Sequence, residues 1–196
     1  MSNQKFSTQL NLWLTGKNPK TIDDLQAQFE GKSFAVAFLL LMSLAALPLP
    51  TGGVTHVLEI INLLLAVELI FGRKTIWLPN WAKNKSFGKM MTKNALPKFN
   101  KLIAWFEQFS RPRLSGLFGQ RWFMSLLGIL VFIYTLAAFL APPFSGLDTL
   151  GGLGVVTIAL SWLFEDIVLF ITGIVLGSLG VAIEISLGAA AFHFII

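Results

Sequence analysis

No Asp, Glu, Lys or Arg occurs between Ser33 and Leu58, and none occurs between Trp122 and Leu147. A helix needs roughly 20 apolar residues to cross a bilayer core of ~30 Å, so each run is long enough to be buried in lipid. Composition points the same way. Apolar residues make up 55% of the chain, charged residues 13%, and mean hydropathy is +0.71, whereas soluble domains carry about 25% charged residues. The chain reads as an all-α integral membrane protein.

Proline and glycine interrupt both runs: Pro48, Pro50 and Gly52 in the first, Pro142, Pro143 and Gly146 in the second. Sliding the chain by 94 positions lays Pro48 on Pro142, Thr51 on Ser145, Gly52 on Gly146 and Thr55 on Thr149. The preceding helices match at slightly smaller offsets, Lys32 with Arg121 and Leu44-Ala45-Ala46 with Leu136-Ala137-Ala138. This ordered recurrence favours a helical bundle of two related, broken hairpins, an internal repeat over 21–75 and 121–166. Chance likeness between two membrane hairpins is the competing explanation. The arm Ser33–Leu47 would be about 22 Å long as a helix, which is short. The hairpins therefore either span a thinned bilayer or are re-entrant, with irregular backbone buried in protein or lining a wet cavity.

The remaining segments follow from charge and periodicity. Residues 1–20 carry no secretion signal and read as loose, with Leu10, Leu12, Trp13 and Leu14 able to touch lipid. Thr21 reads as an N-cap with Asp23 and Asp24 in the first turn. All fifteen Lys and Arg lie at or before Arg121, four before the first apolar run and eleven over Arg73–Arg121. Lys and Arg beside spans are retained in the cytoplasm. The N-terminus and the long connection are thus placed on the cytoplasmic face of a multi-pass protein of the bacterial inner membrane. The connection 76–120 interleaves Lys and Arg with aromatics, and Leu102, Trp105, Phe106 and Phe109 recur at helical spacing, which suits interfacial helices on anionic headgroups. Beside apolar spans, such a patch is not read as a nucleic-acid surface. The last helix, 167–196, places Gly173, Gly177, Gly180, Glu184 and Gly188 on one face for close helix packing.

The candidate site residues are carboxylates and their polar neighbours. Thr55, Glu59 and Asn62 share a helix face, and no basic residue stands near Glu59 in sequence. An intramembrane carboxylate costs about 2.5–3.5 kcal/mol on insertion scales, so it faces a cavity or a partner. Glu68 lies on the opposite side, one turn from Arg73 and Lys74. Asp148 follows the second break, Thr157, Ser161 and Glu165 form a polar stripe, Glu165-Asp166 is a like-charged pair, and Glu184 projects into a helix interface. The substrate-binding set is therefore Glu59, Thr55, Asn62, Asp148, Glu165, Asp166 and Glu184, beside the helix breaks. Unpaired carboxylates in such a set favour a small cationic solute, an arginine-like amino acid or a polyamine. No nucleophile, acid–base pair or metal cluster shows catalytic spacing. The absence of cysteine excludes disulfides and thiolate sites, and His56 and His193 stand alone, so neither an enzyme nor a cofactor is expected. The Gly146–Gly154 glycines fit neither a P-loop nor a dinucleotide fingerprint.

The Pro-Leu-Pro-Thr-Gly break at 48–52, the Phe-Gly-Arg-Lys-Thr-Ile-Trp-Leu-Pro stretch at 71–79, the Arg-Pro-Arg-Leu at 111–114 and the acidic pair at 165–166 together resemble the bacterial exopolysaccharide synthesis ExoD family. The resemblance covers roughly 20–190. It implies a link to the cell envelope or exopolysaccharide and supplies no reaction. Two readings follow. Paired helix interruptions in two halves point to a transporter, here for the small cationic metabolite. The alternative is a non-catalytic accessory subunit of exopolysaccharide synthesis or export. A homo-oligomer is compatible with either.

Overall fold

The computed structural model describes residues 5–16, 21–29, 31–46, 54–77, 96–141 and 148–195. Pro48, Pro50, Gly52, Pro142, Pro143 and Gly146 lie outside these residues, as do Leu47 and the stretch 78–95. Among the described residues the regular structure is helical: α1 Phe6–Thr15, α2 Ile22–Gln28, α3 Ser33–Met42, α4 Val54–Ile70, α5 Leu96–Phe109, the one-turn α6 Ser115–Phe118, α7 Arg121–Leu140, α8 Asp148–Phe164 and α9 Ile167–Ile195.

Helix ends follow local chemistry. Thr21 caps α2, its hydroxyl accepting the Asp24 N–H at 3.1 Å. α4 closes on Gly72 at φ 76, with Gly72 N–H on Leu69 C=O at 2.8 Å and Arg73 N–H on Glu68 C=O at 3.1 Å, the left-handed turn that glycine makes without a Cβ penalty. α7 stops at extended Ala141 (ψ 139), the residue before Pro142. α8 ends the same way without glycine: Glu165 sits at φ 55 while Asp166 N–H reaches Ser161 C=O at 3.0 Å. Lys32 pays for that left-handed residue. Its Nζ bonds Leu163 C=O at 2.8 Å and pairs with Glu165 Oε1 at 3.1 Å.

α7 and the Ile167–Leu187 part of α9 are long and apolar enough to cross a membrane. A soluble core helix would be covered, yet only 39% and 22% of these two spans is buried. What they leave exposed is aliphatic: Ile129, Ile133, Leu136 and Leu140 on α7, and Val168, Ile171, Val175 and Leu179 on α9. α4 adds Val57, Ile60 and Leu64. An outward surface of this kind suits hydrocarbon and not water.

Within that surface, α3 packs against α4 and α8, α7 packs against both α4 and α8, and α9 lies along α8 and α7. Every residue of α3 is buried, so this ten-residue helix, about 15 Å long, is a core element without a lipid face. The chain starts of α3 and α7 and the chain ends of α4 and α8 meet at one end of the bundle, where Arg73, Lys74 and Arg121 also lie; this is the basic end, and the chain ends of α3 and α7 and the chain starts of α4 and α8 mark the other, called here the break end. Glycines set the closest contacts. A Cβ on Gly154 would stand 2.6 Å from the Gly177 Cα, one on Gly173 would stand 2.9 Å from the Ile158 N, and one on Gly177 would enter the Tyr134 ring. The glycine face read from sequence thus packs on α8 and α7.

The N-terminal stretch differs from its expected looseness. Over 5–16 it is the docked helix α1, with Leu10 and Trp13 buried. Glu107 of α5 accepts the Phe6 N–H at 2.6 Å and the Ser7 hydroxyl at 2.5 Å, supplying the acceptor that the start of α1 lacks. The Trp13 indole N–H donates to Asp24 Oδ2 at 2.6 Å and its ring meets Phe29 edge-on at 6.1 Å. Leu10 and Trp13, two of the side chains expected to touch lipid, are covered by the protein, while Leu12 stays exposed.

Candidate functional site

At the break end, the first turns of α4 carry a withdrawn polar cluster. Glu59 is 0% exposed, and its Oε2 lies 3.0 Å from His56 Nδ1, one helical turn earlier. The Phe139 ring meets the His56 ring edge-on at 5.4 Å. Asn62, also fully buried, donates its amide to the Thr135 hydroxyl of α7 at 2.7 Å. Glu59 Oε1 and Asn62 Oδ1 are buried and accept no hydrogen bond. Thr55 is buried on the same face. Asp148 lies within electrostatic reach of both Glu59 and Glu184, and the half-buried Glu184 also has a buried oxygen without a hydrogen-bond partner. Carboxylates from α4, α8 and α9 therefore gather at one end. Among the described residues, no group of three or more His, Cys, Asp and Glu is arranged to hold a metal ion.

Glu165 and Asp166 sit at the opposite end of α8, about 25 Å away along a helix of 17 residues. Asp166 is buried and its carboxylate is fully engaged. Oδ2 accepts the Ser110 hydroxyl at 3.2 Å and the Arg111 N–H at 3.1 Å, Oδ1 accepts the Val168 N–H at 3.0 Å, and Arg113 pairs with it at 3.3 Å. Arg113 N–H also donates to Glu165 C=O at 2.9 Å. Asp166 thus N-caps α9 and fastens the connection to the α8–α9 corner. Burial alone would push its carboxyl up; the Arg111 and Val168 N–H groups, the Arg113 guanidinium and the Ser110 hydroxyl outweigh burial and hold it below the ordinary carboxylate range.

One family model matches most of the chain: that described as exopolysaccharide synthesis, ExoD, covers residues 9–186. This chain belongs to the ExoD family. No curated protein and no solved structure matches it.

In this ExoD-family chain, the seven site residues read from sequence do not form one cluster. Glu59, Thr55, Asp148 and Glu184 lie toward the break end and Asn62 at the midpoint of α4, while Glu165 and Asp166 belong to the corner at the basic end. Thr157 and Ser161 do not extend a polar stripe toward Glu165, because both hydroxyls turn back onto their own helix, to Leu153 C=O and Ile158 C=O, each at 2.7 Å. Glu68 accepts the Trp77 N–H at 2.8 Å. Sequence reasoning missed His56 as the partner of Glu59, although the three-residue spacing on a helix carried that signal. It also missed Thr135, whose pairing with Asn62 had no local trace.

Proposed function

We propose that this ExoD-family protein is a non-catalytic accessory component of exopolysaccharide synthesis or export, held in the bacterial cytoplasmic membrane by several spans. Membership of the family over residues 9–186 carries the reading. The aliphatic outward faces of α4, α7 and α9 support the membrane placement. The crowding of Lys and Arg before Trp122 supports a cytoplasmic N-terminus and connection. Exchanging α3 with α7 and α4 with α8 maps the contact pairs α3–α4, α7–α8, α4–α7 and α3–α8 onto one another. That exchange supports two related hairpins arranged as a parallel repeat. Deleting the gene and measuring secreted polysaccharide tests the role: output should fall and return when the full chain is restored. Unchanged output would remove the reading.

A second reading rests on one observation. Glu59 is fully withdrawn from the surface, keeps an unpartnered Oε1, and shares its end of the bundle with Asp148 and Glu184. A small cationic metabolite would supply the charge these carboxylates lack, in a transport route past the helix breaks. Calorimetry with arginine and with putrescine, on the wild type and on Glu59→Gln, separates the two readings. Binding lost in the variant supports transport. Absence of binding by either cation leaves the accessory role.

A further inference from the structure

A cavity of about 530 Å³ opens at the basic end, where the ends of α3, α4, α7 and α8 converge. Its volume is that of a small-ligand pocket. Arg73, Lys74 and Arg121 line it, over a floor that includes Phe34, Leu69 and Trp162, and among the described residues no carboxylate lines it. Described carboxylates at this end have other partners. Glu165 pairs with Lys32, Asp166 with Arg113, and Glu68 receives the Trp77 N–H. Among the described residues no ion pair reaches Arg73, Lys74 or Arg121. Arg73 instead stands over the Trp77 ring at 5.9 Å. The Arg121 guanidinium lies so close over Gly72 that a Cβ there would stand 2.7 Å from its Nε. Among the described residues, three cations thus line one cavity without an anion, against their mutual repulsion. α3 and α7 also begin at this cavity, and helix starts favour negative charge.

From this convergence we infer that the basic-end cavity binds a phosphate or diphosphate group. Two arginines offer planar forks that match phosphate oxygens, and the lysine adds a point charge. The apolar floor would accommodate the first carbons of a lipid that bears such a group. The site stands on its geometry and not on the exopolysaccharide role, since it is read out by the purified protein alone.

The full chain in a neutral detergent would be titrated by calorimetry with inorganic diphosphate, with dioctanoyl phosphatidic acid and with dioctanoyl phosphatidylcholine. Diphosphate or phosphatidic acid should bind. The triple change Arg73→Gln, Lys74→Gln, Arg121→Gln should weaken binding by at least about tenfold, as loss of charge-assisted contacts does. Lys101→Gln, an exposed lysine of α5, should leave binding unchanged. Should the triple variant fail to give a thermal unfolding transition, Arg121→Gln alone carries the comparison. Tighter binding of phosphatidic acid than of diphosphate assigns a lipid-borne phosphate; the reverse, or equality, assigns a free one. Both uphold the site. Absence of binding by both anions, equal weakening in Lys101→Gln, or phosphatidylcholine binding as tightly as phosphatidic acid would overturn it.

Discussion

Asn62 and Thr135 share a hydrogen bond of 2.7 Å across the α4–α7 contact, and neither side chain has any exposed surface. The pair ties α4 to α7 inside the core, and the Ser125 hydroxyl of α7 makes a second polar link to Ile70 C=O of α4 at 3.1 Å. Thr135→Val should strand the Asn62 amide and lower thermal stability in detergent by about 0.6–1.7 kcal/mol, the range for such bonds in membrane proteins. Adding Asn62→Leu should recover part of the loss, because no buried donor is then left unpaired. Additive losses in the double variant would show that the two residues do not act as a pair.

Asp166 predicts a pH signature. Its folded carboxyl lies below the unfolded value, so the ionised form contributes stability above that value, 3.8, and the contribution is lost as pH falls through the lower folded value. Asp166→Asn should therefore destabilise the protein by about 2–3 kcal/mol near neutrality, as removal of a charged acceptor does. The gap between the two proteins should close on acidification below 3.8. Unfolding temperatures measured across that range check the sign.

The glycine contacts predict a graded series. Gly177→Ala places a methyl group in the Tyr134 ring and Gly154→Ala places one against the Gly177 backbone, so each should cost about 1–3 kcal/mol as overpacking does. Gly177→Leu should prevent α9 from docking. Gly116→Ala meets nothing within 4 Å and should be neutral. Detergent melting of the four variants gives the ranking.

Because the chain has no cysteine, one introduced thiol reports topology without background. Ser86→Cys should resist an impermeant thiol reagent in intact cells and react once the membrane is opened, as a cytoplasmic connection requires. Labelling in intact cells would invert the orientation.

Sequence reasoning reached what depends on one segment at a time. The apolar length of Trp122–Ala141, the shared face of Thr55, Glu59 and Asn62, and the glycine face of α9 are properties of single helices, visible as runs and periods. Contacts between distant segments left no such trace. Leu10 and Trp13 resemble lipid anchors in sequence because their real cover, α5 with Glu107, lies about a hundred residues away. Asp166 resembled half of an acidic pair because its donors come from Ser110, Arg111 and Arg113, some fifty positions earlier. The same distance effect separates Glu165 from Glu59, two carboxylates that the sequence reads as one site.

The complete burial of α3 sets an order of events during synthesis. This helix is too short to be settled by lipid alone, and one of its two main walls, α8, ends at Phe164, some 120 residues after Met42. At ~5–20 residues per second, translation leaves that wall missing for about 6–24 s. Until then the insertion machinery or a provisional neighbour must shelter Phe34 and Phe38. A ribosome halted before Asp148 should therefore yield a chain that proteases and membrane quality control recognise, while the released full chain should not.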